Sequence, residues 1–382
     1  CSGLTIASNT TEVRGLWVVR ESIVNPEQVR RVVEFADALR FNVIFVQVRG
    51  RGDAYYRSAL VPGPEGLSDI PARFDPLGAL IPLAHARGIE VHAWFNVYLT
   101  WSSASPPSDK KHILNRRPEW FMASMDGLDM AKSPIDSVVK TMAEGRYLSP
   151  GLQPVRDHLA ALIRETAGRY PIDGVHLDYV RYPGWNYDFH ESVRRDFRNQ
   201  HGLDPQAAVT GENGVDPQLD LLGKWVEYRA DQVSRLVRDV SAQVRRVDPR
   251  IRVSAAVKPN PEDAYHRFGQ DWPGWLRDGA VDFVAIMSYA ADRDIFLDAV
   301  RRAADSNNRR KVVAGVGAHM ISPEGAAEQI TITRELGLLG FCVFSYGDCR
   351  DNSSLRESLK KTVRKGKTPL PFDFKPYLRK KI

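Results

Sequence analysis

The chain has 382 residues, 43% hydrophobic and 26% charged, which is enough apolar material for one large core and leaves no room for extended disorder. No apolar run approaches the roughly eighteen residues that a membrane-crossing helix needs. The net charge of +6 suits an anionic polymer, but basic pairs such as Arg30-Arg31, Arg194-Arg195 and Arg245-Arg246 are scattered along helical stretches as on a solvated surface, so nucleic acid is not an expected partner.

In chain order, Cys1-Ser2-Gly3 and the polar stretch through Thr11 read like the mature start of a bacterial lipoprotein. Residues 1–12 are therefore expected to be a tether with a lipid on Cys1. Membrane contact would come through that lipid alone, which places the body at the cell envelope, in the periplasm or outside. Strand-like runs follow at Arg14–Val19, Asn42–Val48, Glu90–Val97, Gly174–Val180, Arg252–Val257, Phe283–Met287, Val312–Val316 and Gly340–Phe344. Helical patterns alternate with them at Pro26–Leu39, Pro76–Arg87, Pro154–Arg169, Trp225–Val247, Phe296–Ala304, Pro323–Leu336 and Asn352–Lys365. Asn25-Pro26, Asp75-Pro76 and Ser322-Pro323 look like caps followed by a first-turn proline, and Gly88 and Gly337 like C-terminal stops.

Eight strands alternating with helices predict a (β/α)8 TIM barrel over residues 13–366, with residues 367–382 as a Pro- and Lys-rich tail. A monomer is expected. Long insertions at Leu99–Ser149 and Gly184–Leu222 follow strands, so they belong to the face where barrels carry chemistry. They hold Trp101, Trp120, Phe121, Tyr147, Trp185 and Tyr187, and the loop after the fifth strand adds Tyr265, Trp272 and Trp275. Flat rings of this kind either line a sugar-binding cleft or pin the loops to the barrel. Cys342 and Cys349 are too few for a disulfide framework and lack metal-type spacing, leaving a single pairing or plain core packing open.

The most informative segment is Pro171-Ile-Asp-Gly-Val-His-Leu-Asp-Tyr-Val-Arg-Tyr-Pro183, where an apolar strand runs into an acid at its carboxyl end. Asp178 is either part of a reaction centre or the ion-pair partner of Arg181. Period-two alternation puts His176 and Asp178 on one strand face, and His92, Trp94 and Asn96 on another. Arg49, Lys258, Tyr289 and Tyr346 stand at further strand ends, with Arg181 and Tyr182 just after Asp178. Asp53 and Glu21 supply additional carboxylates.

Acids at strand ends, aromatic loops and the absence of a Ser-His-Asp or Cys-His signature favour glycoside hydrolysis, which needs one carboxyl to protonate the leaving oxygen and another to attack the sugar or activate water. Asp178 is the candidate nucleophile or base, with Asp53 and Glu21 the candidate acids ahead of Asp348. No cofactor or metal is expected. Two rival readings stay open: a zinc hydrolase or deacetylase using His92, His176 and Asp178, and a barrel that binds polysaccharide without cutting it.

The blocks Arg14-Gly-Leu-Trp-Val18, Gln47-Val-Arg-Gly-Arg-Gly-Asp-Ala-Tyr-Tyr-Arg-Ser58, Phe74-Asp-Pro-Leu77, Gly88-Ile-Glu-Val-His-Ala-Trp-Phe-Asn96, Leu148-Ser-Pro-Gly151 and Asp173-Gly-Val-His-Leu-Asp-Tyr-Val-Arg-Tyr-Pro183 occur in that order. Together they resemble the glycosyl-hydrolase-like family 10 of bacterial envelope lipoproteins, from about Arg14 to about Leu355. The resemblance implies a TIM barrel that hydrolyses envelope glycans, including peptidoglycan strands stripped of their peptides. A more distant likeness to chitinase-type barrels lies in the Asp-Gly-x-x-x-Asp pattern, but Val180 stands where those enzymes carry their acid. In amylase-like barrels the Asp that ends strand four is the nucleophile, the role that the resemblance implies for Asp178.

Overall fold

The computed structural model describes residues 12–65, 74–210, 219–304 and 308–364. Cys1 and the 367–382 tail lie outside them. Eight parallel strands close into a barrel: β1 (Val13–Val18), β2 (Val43–Arg49), β3 (Glu90–Asn96), β4 (Gly174–Asp178), β5 (Arg252–Val257), β6 (Phe283–Ile286), β7 (Val312–Gly317) and β8 (Gly340–Phe344). Each pairs with its sequence neighbour, and β8 closes on β1 through Gly15 and Cys342. The predicted TIM barrel with long loop insertions is the observed fold.

The outer layer is built as the sequence signals imply. Asn25, Asp75 and Ser322 each accept a hydrogen bond from the backbone N–H three residues on, at 2.9, 3.0 and 3.1 Å, with proline at the first helical position. Gly88 and Gly337 take φ of +67°, which ends the preceding helices. The helix expected from Trp225 begins earlier and spans Leu219–Val247, and the one expected from Phe296 begins at Arg293. No helix of the described residues is long and apolar enough to cross a membrane.

Inside the barrel, Trp17, Phe45, Trp94, Phe283 and Cys342 pack as a separate cluster, joined by His92 and His176. Large rings fit because glycines face them. A Cβ on Gly174 would stand 2.3 Å from the ring of His92, and one on Gly15 would stand 2.7 Å from Cys342 Sγ. Both cysteines are buried and free, so the pairing left open by the sequence is not made.

The two insertions fold onto each other above the barrel. Leu99–Trp101 pairs antiparallel with Arg146–Tyr147, and a bridge joins Ser124 to Tyr187 across the insertions. The buried Asp188 carboxylate accepts from Ala123 N at 3.2 Å and His190 N at 3.1 Å, so one side chain ties both segments. Phe189, Phe197, Trp225 and Tyr228 form a small core under the second insertion. Most of the loop rings are therefore structural: Trp101, Phe121, Tyr147, Tyr187, Trp272 and Trp275 are buried, whereas Trp185 is 51% exposed.

Replacing Gly174 with Ala should force the ring of His92 out of its place and lower the unfolding free energy by about 1–3 kcal/mol, the usual cost of overpacking. Urea denaturation of the variant checks this, and an unchanged midpoint would show that the interior has slack.

Candidate active site

β4 was expected to run to Val180, but it stops at Asp178 because Tyr179 adopts φ of +49°, a left-handed turn that no strand can contain. The turn aims the Tyr179 N–H back at Asp178 Oδ1, at 2.7 Å. Trp94 Nε1 donates to Asp178 Oδ2 at 3.1 Å from β3, where register places Asn96 beside Asp178. Asp178 as a whole is 8% exposed. Burial lifts its pKa to about 6, overcoming Arg181 and the two hydrogen bonds, and the charge of Glu144 adds to the lift.

Glu144 reaches the mouth on the returning limb of the first insertion. Gly145 lets the limb pass, since a Cβ there would sit 2.5 Å from the carbonyl oxygen of Trp101. Arg181 Nη2 donates to Glu144 Oε1 at 2.6 Å, and the Tyr147 hydroxyl donates to Oε2 at 2.6 Å. Burial alone would push this carboxyl up, yet Arg181 and Tyr147 together hold it below the usual range. Its side chain is 40% exposed, whereas that of Arg181 is 4% exposed, so a covered cation holds an open carboxylate.

Arg181 also lies over the ring of Tyr179, 4.8 Å from its centroid, and donates to the Tyr182 carbonyl at 3.3 Å. At the end of β5, Lys258 rests its ammonium 4.8 Å from the centroid of Phe268, and burial, with help from Arg181, lowers its pKa. Behind this wall, Gln47 Nε2 donates to Asn96 Oδ1 at 3.1 Å, Arg20 donates to Gln47 Oε1 at 2.8 Å, and Asn96 Nδ2 donates to the Gly50 carbonyl at 3.1 Å. That relay fixes the ends of β1, β2 and β3 relative to one another.

The profile of the family described as Glycosyl hydrolase-like 10 matches residues 12–324. The chain belongs to that family. Among curated relatives it is 24% identical to glycosyl hydrolase YngK of Bacillus subtilis (strain 168) over 92% of this chain and 72% of that protein. It is 23% identical to glycosyl hydrolase DigH of Escherichia coli O6:H1 over 75% of this chain and 67% of that one. Among solved structures, the PgaB (BpsB) glycoside hydrolase domain from Bordetella bronchiseptica superposes with a TM-score of 0.71 at 15% identity, covering 92% of this chain and 99% of that domain. The catalytic domain of a β-amylase from Paenibacillus polymyxa gives 0.60 at 13% identity, over 94% of this chain and 100% of that one. These two share the barrel. Family membership and fold together make a glycosidase-type protein.

Within this glycosyl hydrolase-like 10 barrel, the structure brings together Asp178, Trp94, Arg181, Lys258 and Tyr289, the last close enough for Asp178 to act on its phenol. Glu21 sits half-exposed in the turn after β1, ion-paired to Arg20 at 2.7 Å. Asp53 is buried and occupied by its own loop, accepting from Arg51 N at 2.9 Å and Gly50 N at 3.3 Å. No contact joins either acid to Asp178 among the described residues.

Five sequence-predicted binding residues point elsewhere. A register slip after Gln47 pairs Arg49 with the outward-facing Phe95, and Arg49 donates to the carbonyls of Asn96 and Val97 outside the barrel interior. His176 lies below the mouth, where it accepts from Trp17 Nε1 at 3.3 Å and donates to Ser254 Oγ at 2.9 Å. Burial takes its pKa down to about 3 and keeps it neutral. His92 lies in the barrel interior against Glu90 at 3.3 Å. With both nitrogens of His176 engaged and His92 Nε2 against Glu90, the zinc set read from His92, His176 and Asp178 does not assemble, and no group of three or more His, Cys, Asp or Glu among the described residues is arranged to hold a metal. Tyr182 is a buried wedge under the guanidinium of Arg229, 4.3 Å from its ring centroid, and Tyr346 packs edge-on against Phe35 in the outer layer.

Glu144 escaped the sequence reading. It lies far from any strand, and the pairing that returns it to the mouth involves only the two residues Arg146 and Tyr147, too short for a periodic pattern. The usable signal was a charged residue beside a glycine just ahead of Leu148-Ser-Pro-Gly151.

The native state holds the Asp178 proton to about pH 6, whereas an unfolded Asp releases it near pH 3.9. Between those values the folded chain binds more protons, so this group's contribution to stability falls as pH rises. Asp178→Asn cannot ionise and should therefore gain in melting temperature over wild type as pH goes from about 4 to about 7. A difference that does not change with pH would remove the raised pKa.

Proposed function

We propose that this protein is a glycoside hydrolase that cleaves O-glycosidic bonds of an envelope or extracellular polysaccharide using two carboxyl groups and no metal. The observation that carries the reading is the opposite treatment of two neighbouring acids: Asp178 is driven towards its protonated form, while Glu144 is held ionised by Arg181 and Tyr147. Pairs of acids split in this way define a proton donor and its anionic partner. Asp178 then protonates the leaving oxygen, and Glu144 attacks the anomeric carbon or activates water. This exchanges the roles read from the sequence, where Asp178 was the nucleophile or base. The second carboxyl also favours cutting over binding alone.

Peptide-free peptidoglycan strands are the leading candidate substrate. Supporting it are the +6 charge, relatives named as glycosyl hydrolases, and Lys258, whose ammonium makes no ion pair among the described residues while lying beside the acids. A lipid on Cys1 would keep the barrel near such a polymer in the envelope.

Incubation with peptide-free peptidoglycan strands, chitin oligosaccharides and α-glucans, read by mass spectrometry, should show cleavage of one polymer that a chelator does not affect. Glu144→Gln and Asp178→Asn should each lose about 10²–10⁴-fold in rate. On a dinitrophenyl glycoside of the same sugar, whose leaving group needs no proton, Asp178→Asn should recover most activity and Glu144→Gln should not. Equal losses on both substrates would return Asp178 to the nucleophile's role.

The pH profile follows from the same assignment. Asp178 must be protonated, so kcat/KM should fall as pH rises above about 6, while the acid limb should lie below the ordinary carboxylate range because Glu144 must be ionised. Activity still rising at pH 8 would contradict it.

A further inference from the structure

β6, β7 and β8 end in a group of rings that the acid chemistry does not use. Tyr289 follows β6, His319 follows β7, and Phe344 is the last residue of β8. The Tyr289 and Phe344 rings lie 5.6 Å apart at 35°, and His319 stands nearly perpendicular to both, at 6.1 and 5.7 Å. Phe344 and Tyr289 are half-buried over Trp17, whose ring supports them at 6.1 and 6.3 Å, while His319 is exposed at the rim. Rings set at an angle make a corner with an apolar floor and an upright side.

The backbone is shaped to hold this corner. A Cβ on Gly315 would meet Tyr289 Cε1 at 3.0 Å, and one on Gly317 would meet its Cβ at 3.2 Å, so β7 gives up two side chains to seat the Tyr289 ring against the strand. Ala318 N donates to the Phe344 carbonyl at 2.9 Å, which fixes the turn carrying His319 to the end of β8. Neither the Tyr289 hydroxyl nor the imidazole of His319 makes a hydrogen bond among the described residues, although the first lies within the electrostatic reach of Asp178. A half-buried aromatic corner edged by free polar atoms, in the same mouth as a proton donor, matches the needs of a pyranose: C–H groups on its face, hydroxyls around its rim.

We propose that Tyr289, Phe344 and His319 form a stacking subsite for one pyranose ring of the glycan, on the side of the mouth opposite Glu144, with His319 as its specificity-determining upright. The subsite rests on the hydrolase reading. It also relocates the sugar platform. The rings expected to line the cleft belong to the insertions and the loop after β5 and are mostly buried, and the available rings come from the ends of three consecutive strands.

The test uses the full chain carrying Asp178→Asn, so that binding is read without turnover, and titrates it calorimetrically with chitohexaose, maltohexaose and peptide-free peptidoglycan strands. Adding His319→Ala should weaken binding of the recognised glycan about three- to tenfold, the scale of one aromatic contact. His319→Phe should restore most of it through the ring alone, short of the share the imidazole nitrogens supply, and His319→Gln should not. In the otherwise wild-type enzyme the same loss should appear in KM with kcat kept. Affinity indifferent to His319→Ala, or restored by Gln and not by Phe, overturns the subsite while the hydrolase reading stands. Failure of the Asp178→Asn protein to bind any probe, with no cleavage by wild type, removes both.

Discussion

The buried guanidinium of Arg181 is the constraint around which the mouth is organised. A cation so fully covered cannot stand without an anion, because removing the partner of a buried charge costs several kcal/mol. Its own segment offers the Tyr182 carbonyl, the face of Tyr179 and an Asp178 that burial drives towards its neutral form, so the hydrogen-bonding anion comes from elsewhere in the chain. Glu144 provides it from the first insertion. The long excursion after β3 must therefore return to β4, and the Leu99–Trp101 and Arg146–Tyr147 pairing, the squeezed Gly145 and the Tyr147 hydroxyl are the means by which it does so.

The same pair separates the two acids in protonation. Asp178 has two good donors, from Trp94 and Tyr179, which in water would stabilise its anion, yet burial outweighs them. Arg181 acts on both carboxyls but hydrogen-bonds only Glu144. The side towards which the guanidinium turns keeps the open acid ionised, while burial lets the covered one hold its proton to about pH 6. A lysine in this place would not do the same, since it lacks the planar face that lies over Tyr179 while an N–H reaches Glu144.

The barrel was legible in the sequence because its signals are repetitive: apolar runs, Asn25, Asp75 and Ser322 before prolines, and glycines after helices. Asp178 was legible because an acid at the end of an apolar strand contradicts its surroundings. What failed was the step from strand face to mouth. Alternation places His92 and His176 on the inward face but does not say how deep, and both proved to be interior filling fitted against Gly174 and Trp17. Arg49 would also have faced inward had β2 not slipped by one residue, and such a slip leaves no trace in composition. Tyr182 and Tyr346 follow strand ends closely, but in each case the chain has already turned outward.

These misplacements share a cause that also explains the asymmetry of the mouth. β3, β4 and β5 present polar groups upward because long segments fold over them and supply partners: Glu144 for Arg181, and Gln270, which accepts from Lys258 N at 3.0 Å. β6, β7 and β8 have short connections, with no overlying segment among the described residues, so the polar strand ends there would face only water. Rings that pack on one another and on Trp17 need no such partners, which is why the uncovered half of the mouth is aromatic and the covered half is charged. A chain of sugars lying across the opening would meet an apolar surface on one side and the two acids on the other. Barrel position, more than the identity of any single loop residue, decides which side is which.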